Sequence, residues 1–305
     1  MKKKHAIFLA ILAAALYAIN IPLSKLLLVH LSETMMAGLL YLGAGIGLSF
    51  VGLFDKCRKK KSDEQSLTTN DIPYTFGMVV LDIAAPIFLM FGIARAAAEN
   101  VSLLGNFEIV ATALIAALVF KEKISGRLWI SILFIVSSCA LLSVNSSQSL
   151  SFSKGSFYVL LAAVCWGLEN NCTRKISDKN PMQIVIIKGF GSGIGSLLIA
   201  WYLHSLSFDL LYGGLTLLLG FVSYGLSIYF YVYAQRFLGA AKTSAFYAVS
   251  PFIGVVFSFL IFNDIPGLTF YPALVLMIIG SYLATTENRE LKAHAQKSVA
   301  ESPHD

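Results

Sequence analysis

Apolar residues run along this chain in blocks of about 20, the length a helix needs to cross the hydrocarbon core of a bilayer, with polar breaks between most of them. The blocks predict helices over 5–30, 33–54, 72–96, 99–120, 127–145, 155–177, 182–204, 212–235, 240–262 and 268–286. The expected fold class is therefore all-α: a polytopic membrane protein with ten transmembrane helices.

Composition strengthens this reading. Of 305 residues, 57% are hydrophobic and 13% charged, with a mean hydropathy of +0.73. Soluble chains are about a quarter charged. A water-soluble fold of this length could not enclose so much apolar surface, which excludes a soluble enzyme core, a disordered chain and a collagen. The net charge of +6 does not point to nucleic acid, because the basic residues sit in short clusters between apolar blocks. Cys57, Cys139, Cys165 and Cys172 show no CxxC spacing, so neither a disulfide framework nor a zinc site is expected. The apolar run after Met1-Lys-Lys-Lys-His5 continues through Ile19, Pro22 and Leu28 without a convincing cleavage site. It is read as the first span.

The basic clusters also orient the chain, because Lys and Arg near helix ends stay on the cytoplasmic side. With the N-terminus inside, the inner segments hold Lys2 to Lys4, Lys56 with Arg58 to Lys61, Lys121, Lys123 and Arg127, Arg174, Lys175 and Lys179, Arg236 and Lys242, then Arg289, Lys292 and Lys297. The outer loops hold only Arg95 and Lys154. Both termini are expected in the cytoplasm of a plasma-membrane protein. The polar loop over 55–71 and the cytoplasmic tail over 287–305 have anionic lipid as their natural contact.

The two halves of the chain resemble each other. Leu12 to Lys25 aligns without gaps on Leu161 to Arg174, pairing Tyr17 with Trp166, Asn20 with Glu169 and Pro22 with Asn171. Gly43-Ala-Gly-Ile-Gly47 answers Gly191-Ser-Gly-Ile-Gly195, and each is a small-residue face suited to close helix packing in lipid. Glu108-Ile-Val with Phe120-Lys-Glu122 answers Ser250-Pro251-Phe with Phe262-Asn-Asp264. Each half, 1–145 and 155–286, holds five spans. An odd number inserts the second half upside down, an inverted repeat, and such pairs alternate between inward-open and outward-open forms around a site near the midplane.

These motifs, with ten spans in two halves, resemble the drug/metabolite transporter superfamily, EamA type, from Ala6 to Thr285. Ile109 stands where that family usually has Pro, and Asp264 replaces the more usual Glu. The resemblance implies export, sometimes import, of amino acids or other small metabolites, and leaves the substrate open.

Charges inside spans are expensive and are candidates for function. Asp82 and Glu108 lie near mid-depth of the third and fourth spans, since a helix rises about 1.5 Å per residue. Either suits a proton carried with a substrate or a docking point for its amine. For Asp82 the structural alternative is a carboxyl bonded to a backbone carbonyl at a kink, with Pro86 one turn away. Glu169 and Lys188 lie at similar depth in adjacent antiparallel helices and are expected to pair, as a register-fixing ion pair or as a gate or zwitterion clamp. Lys25 is expected to reach the headgroups.

Asn20, Asn106, Asn170 and Asn171 offer uncharged donors and acceptors, to a cavity or simply between helices. Tyr17, Trp166, Phe107, Tyr224 and Tyr247 are expected to line the solute path, whereas Tyr229, Tyr231 and Tyr233 look like an interfacial belt. Pro22, Pro86 and Pro251 lie inside spans, as hinges or static kinks.

No catalytic constellation accompanies them. His5, His30, His204, His294 and His304 all lie at span ends or in tails, HExxH is missing, Ser192 lacks GxSxG spacing, and Walker A is absent. The expected function is a secondary carrier of small molecules, with protons as a possible coupling partner, the bilayer as surroundings, and neither cofactor nor metal. A channel or facilitator is the alternative, and a membrane-embedded sensor or enzyme the third.

Overall fold

The computed structural model describes residues 3–57, 65–121, 125–145, 151–176, 179–206, 209–238, 247, 249–263 and 266–284. Its helices in chain order are α1 (Lys3–Ala18), α2 (Asn20–Leu27), α3 (Glu33–Cys57), α4 (Ile72–Arg95), α5 (Ala98–Leu104), α6 (Phe107–Phe120), α7 (Gly126–Ser143), α8 (Lys154–Lys175), α9 (Pro181–Tyr202), α10 (Leu210–Gly220), α11 (Ser227–Leu238), α12 (Ser250–Phe262) and α13 (Phe270–Ala284). Among the described residues, strand structure is limited to a two-residue ladder pairing Val144 with Phe152 and Asn145 with Ser151, and a single bridge between Gln65 and Lys179.

Six of these helical stretches are long and apolar enough to cross a membrane: Lys4–Leu27, Glu33–Phe54, Thr69–Arg95, Ala98–Val119, Met182–Tyr202 and Leu210–Tyr231. Gly126–Leu142, Ser250–Phe262 and Phe270–Ala284 are shorter apolar helices. The sequence led us to expect an apolar block over 155–177 as well. There α8 is a full-length helix, but its second half carries Glu169, Asn170, Asn171, Thr173, Arg174 and Lys175, so it is not uniformly apolar. The surface is that of a protein solvated by lipid. Leu118 and Leu210 are each 80% exposed and Leu260 is 73% exposed, while Asn20, Asp82 and Glu169 are buried.

Several predicted spans are interrupted helices. In the first, Pro22 has no N–H to offer the Ala18 carbonyl, and the chain passes from α1 to α2 at Ile19. In the fourth, α5 gives way to α6 through Gly105 and Asn106, where tight i to i−3 bonds replace the α pattern: Asn106 N to Leu103 O at 3.1 Å and Glu108 N to Gly105 O at 3.1 Å. In the eighth, a π-helical turn over Phe221–Leu226 separates α10 from α11. Such turns recur at functional sites. Pro86, by contrast, sits within a continuous α4, and Pro251 stands in the first turn of α12, where a missing N–H breaks no intrahelical bond.

The paired motifs ending the fourth and ninth spans have a common physical role. Lys121 and Asn263, aligned in the two halves, both turn left-handed (φ 55° and 51°) and close the C-termini of α6 and α12. Glu122 and Asp264, which follow them, lie outside the described residues, as do positions 58–64 of the polar loop and the tail over 287–305.

Packing follows the small residues. α3 runs along α9, where a Cβ on Gly189 would stand 2.5 Å from the Gly45 Cα, so only glycine permits the crossing. Gly43 and Gly47 face Leu217 and Phe221, whereas Gly191 and Gly195 face Val79 and Ile83. α4 lies along α8 and α11 along α1; α6 packs on α8 and α12 on α1. α7 and α13 are joined by Ser131 Oγ donating to the Gly280 carbonyl (2.8 Å) and Ser138 Oγ to that of Ala273 (2.6 Å).

Candidate solute and proton site

Three helices bring charge together in the interior. Lys188, on α9 one residue before the close-packed Gly189, places its Nζ 2.6 Å from Glu169 Oε1 on α8 and 3.2 Å from Asp82 Oδ2 on α4. The expected Glu169–Lys188 pair is present, and Asp82, for which no cation was foreseen, joins the same lysine. Tyr41 on α3 donates its hydroxyl to Asp82 Oδ1 at 3.1 Å, and Thr173, one turn beyond Glu169, donates to Glu169 Oε1. The Asp82 and Glu169 side chains are 1% and 4% exposed and that of Lys188 15%. At this depth an ion pair persists only when both partners are paired and hydrogen-bonded.

Glu108 lies in the first turn of α6, just past the Gly105–Asn106 interruption. Asn170 Nδ2 donates to its Oε1 at 2.6 Å, and the same amide reaches Thr112 Oγ1 at 3.4 Å. Asn171 Nδ2 bonds the carbonyls of Gly167 (2.8 Å) and Thr112 (3.3 Å), tying α8 to α6. Glu108 and Asn170 are half-buried. Asn106 is 5% exposed, and its Nδ2 has no hydrogen-bond partner among the described residues.

A second, uncharged group lies beside the first. Asn20 Nδ2 donates to the Tyr224 hydroxyl at 3.2 Å, and Tyr224 belongs to the π-helical turn. Tyr17 meets Tyr224 edge-on and Tyr247 at a tilt, each with ring centroids 5.8 Å apart. Ser227 Oγ donates to the Ala13 carbonyl (2.9 Å) and lies 3.3 Å from the Tyr247 hydroxyl. Tyr41 joins the two groups, since its ring centroid is 5.1 Å from that of Tyr224 while its hydroxyl holds Asp82.

Aligned residues of the two halves make matching bonds here. Ser24 Oγ donates to Asn20 Oδ1 at 3.1 Å, just as Thr173 donates to Glu169, its counterpart four residues back. One position therefore carries an amide in the first half and a carboxylate in the second, on the same local scaffold.

Some expectations are corrected. Lys25 does not run out to the headgroups; its Nζ donates to the Ala96 carbonyl at the C-terminal end of α4 and lies 5.9 Å from the Phe262 ring centroid. That carbonyl ends a helix and needs a donor, which the lysine supplies. Tyr231 turns inward onto Tyr247 (5.0 Å) rather than joining a belt, while Tyr229 contacts Phe230. The Tyr233 side chain lies outside the described residues. Phe107 packs against the apolar core, and Trp166 is half-buried beside Tyr41. Tyr41, Thr112, Thr173 and Ser227 were missed: a lone hydroxyl within an apolar run carries no spacing signal, and Thr173 lies among stronger polar groups, although a tyrosine at mid-depth must find a partner for its OH. No cluster of three His, Cys, Asp or Glu residues suited to a metal ion occurs among the described residues.

A multi-pass helical protein with lipid-facing leucines outside and a buried polar constellation within is built as a membrane transporter is. Comparison with known proteins gives the family. The EamA-like transporter family model matches residues 4–144 and again 153–286, and the chain belongs to that family. It is similar to an uncharacterized transporter of Methanothermobacter thermautotrophicus, 25% identical over 270 residues that cover 83% of this chain and 78% of the relative. One crystal structure superposes with a TM-score of 0.65, covering 95% of this chain and 99% of that one at 15% identity, a likeness of fold.

Proposed function

We propose that this protein is a secondary-active transporter of small metabolites, amino acids and related organic solutes foremost, working as an exporter in the plasma membrane by alternating access. In this reading residues 1–145 and 155–286 are two five-helix halves of opposite orientation, ten spans in all, with both termini and the 287–305 tail in the cytoplasm. The packing supports a two-fold repeat, which the inverted arrangement requires, because exchanging the halves maps one set of contacts on the other. The α4–α8 pair becomes α11–α1, α6–α8 becomes α12–α1, and the α3–α9 pair returns to itself. The aligned glycines follow the same rule, Gly43 and Gly47 facing the eighth span and Gly191 and Gly195 the third.

The observation that carries the function is the polar constellation between the halves: Asp82, Glu108, Glu169 and Lys188 beside Asn20, Tyr17, Tyr224 and Tyr247. Carboxylates buried in a membrane interior are costly and persist where a solute or proton uses them. Interruptions at Ile19 beside Pro22, at Gly105–Asn106 and at Phe221–Leu226 adjoin these residues, so the backbone around the site has joints that can move between two arrangements; Pro86, within the continuous α4, is proposed as a second hinge. Pro251 is the third proposed hinge.

Counterflow tests this reading. Metabolite profiling of cells with and without the protein selects a solute, which is then loaded into proteoliposomes. A carrier accelerates labelled uptake when unlabelled solute waits on the other side; equal uptake with and without it would show a pore and overturn the proposal.

A further inference from the structure

We infer that the site recognises its solute through a protonated amine at Glu108, that Lys188 is withheld from the solute, and that organic amines needing no carboxylate are the class it takes. This rests on the carrier reading for treating the constellation as a solute site, and within the small organic solutes of that reading it moves the preference from amino acids to amines without a carboxylate.

The ammonium of Lys188 has three N–H donors, and carboxylates at 2.6 Å and 3.2 Å engage it from two sides. Two carboxyl groups, those of Asp82 and Glu169, already share this one ammonium. A carboxylate entering here would meet three carboxyl groups, Asp82, Glu108 and Glu169, against a single ammonium that two of them already occupy, a lining that disfavours an anion. Lys188 therefore acts as an internal counter-ion and not as an anion hook.

Glu108 is in the opposite position. Its Oε1 accepts from the neutral Asn170 amide at 2.6 Å, and no ion pair reaches it among the described residues. Glu169 on α8 and Lys188 on α9 are the charged groups within electrostatic reach, and Tyr17 and Tyr247 the titratable rings. Lys188 is held by the other two carboxylates, so an ionised Glu108 needs a proton or a cationic solute, and the two compete for it. A primary ammonium supplies the charge and short, charge-assisted hydrogen bonds together. Tyr17 and Tyr247 offer ring faces for the cation and its apolar body. Asn106, two residues before Glu108, has an unpartnered buried Nδ2, a donor left for a hydroxyl or carbonyl of the same solute.

Calorimetric titration of the purified full chain at neutral pH tests this with phenethylamine, L-phenylalanine and 3-phenylpropionate, which share a ring and chain and carry the amine alone, both groups, and the carboxylate alone. The amine is expected to bind about tenfold or more tighter than the amino acid, and the acid not to bind. Glu108→Gln is expected to lose amine binding. L-Phenylalanine binding as tightly as the amine, measurable binding of the acid, no amine binding to the unaltered protein, or retained amine affinity in E108Q each overturns the inference. Should E108Q fail to fold, the three-ligand comparison on the unaltered protein decides. Amine binding without counterflow of the amine would defeat the carrier reading alone; counterflow of L-phenylalanine without amine preference would defeat this inference alone.

Discussion

Glu108→Gln stops transport while leaving the fold intact. The substitution preserves shape, and the glutamine carbonyl can still accept from Asn170 as Glu108 Oε1 does at 2.6 Å. What disappears is the charge. A hydrogen bond to a charged group is worth up to about 3 kcal/mol, so solute affinity and counterflow should fall on the order of 100-fold. The proton that competes at this carboxylate loses its site as well, so whatever flux remains should lose the pH dependence that the unaltered protein shows. Flux in proteoliposomes across that range, set beside the melting temperature of the same preparation, makes the check. Full activity with the original pH response would remove Glu108 from the mechanism.

Lys188→Met has the largest expected effect on stability. It strips the ammonium from between Asp82 and Glu169, both almost fully buried, and leaves two uncompensated carboxylates facing each other. Breaking a buried pair from one side costs about 3–5 kcal/mol, because the surviving carboxylates keep only the Tyr41 and Thr173 hydroxyls and no counter-ion. Removing all the charges is a different operation, since a neutral, shape-matched replacement of a buried ion cluster is often tolerated. The triple variant Asp82→Asn, Glu169→Gln, Lys188→Met should therefore recover most of the melting temperature that K188M loses, without recovering transport. A K188M protein as stable as the original would show that the trio is not the structural centre of the interior.

The parts of this architecture that the sequence made legible are those fixed by one-dimensional spacing. Hydrophobic block length and the placement of basic residues anticipated the helical, multi-pass fold. Equal distance from the turn near Lys179 was enough to pair Glu169 with Lys188. The gapless match of Leu12–Lys25 on Leu161–Arg174 aligned Asn20 with Glu169, which share a bonding pattern with Ser24 and Thr173. Azimuth was not legible. Whether Asp82 points to α9 depends on how α4 is rotated about its axis by packing of Val79 and Ile83 against Gly191 and Gly195, and no single helix encodes that. The inward turn of Lys25 was hidden for the same reason, since its acceptor is a backbone carbonyl 71 positions away. The π-helical turn at Tyr224 carries neither proline nor a distinctive glycine spacing, so nothing local announced it.

A symmetric frame with asymmetric contents has a functional consequence. The carboxylates lie on the third, fourth and sixth spans, and the amide and tyrosines on the eighth, ninth and first, which exchange with them under the proposed repeat. Under the proposed carrier reading, a solute held between the groups would meet carboxyl groups on one side and aromatic rings on the other, and so would keep one orientation as the halves exchange forms.

The most direct measurement is the sidedness of the segment joining the halves. A single cysteine at Ser153, in a background with Cys57, Cys139, Cys165 and Cys172 replaced, is treated with a membrane-impermeant maleimide on intact cells. Five spans before it and an N-terminus inside require Ser153 to react from the outside, at the same rate before and after permeabilisation. Labelling only after permeabilisation would put that junction in the cytosol, give both halves the same orientation, and contradict the alternating-access account.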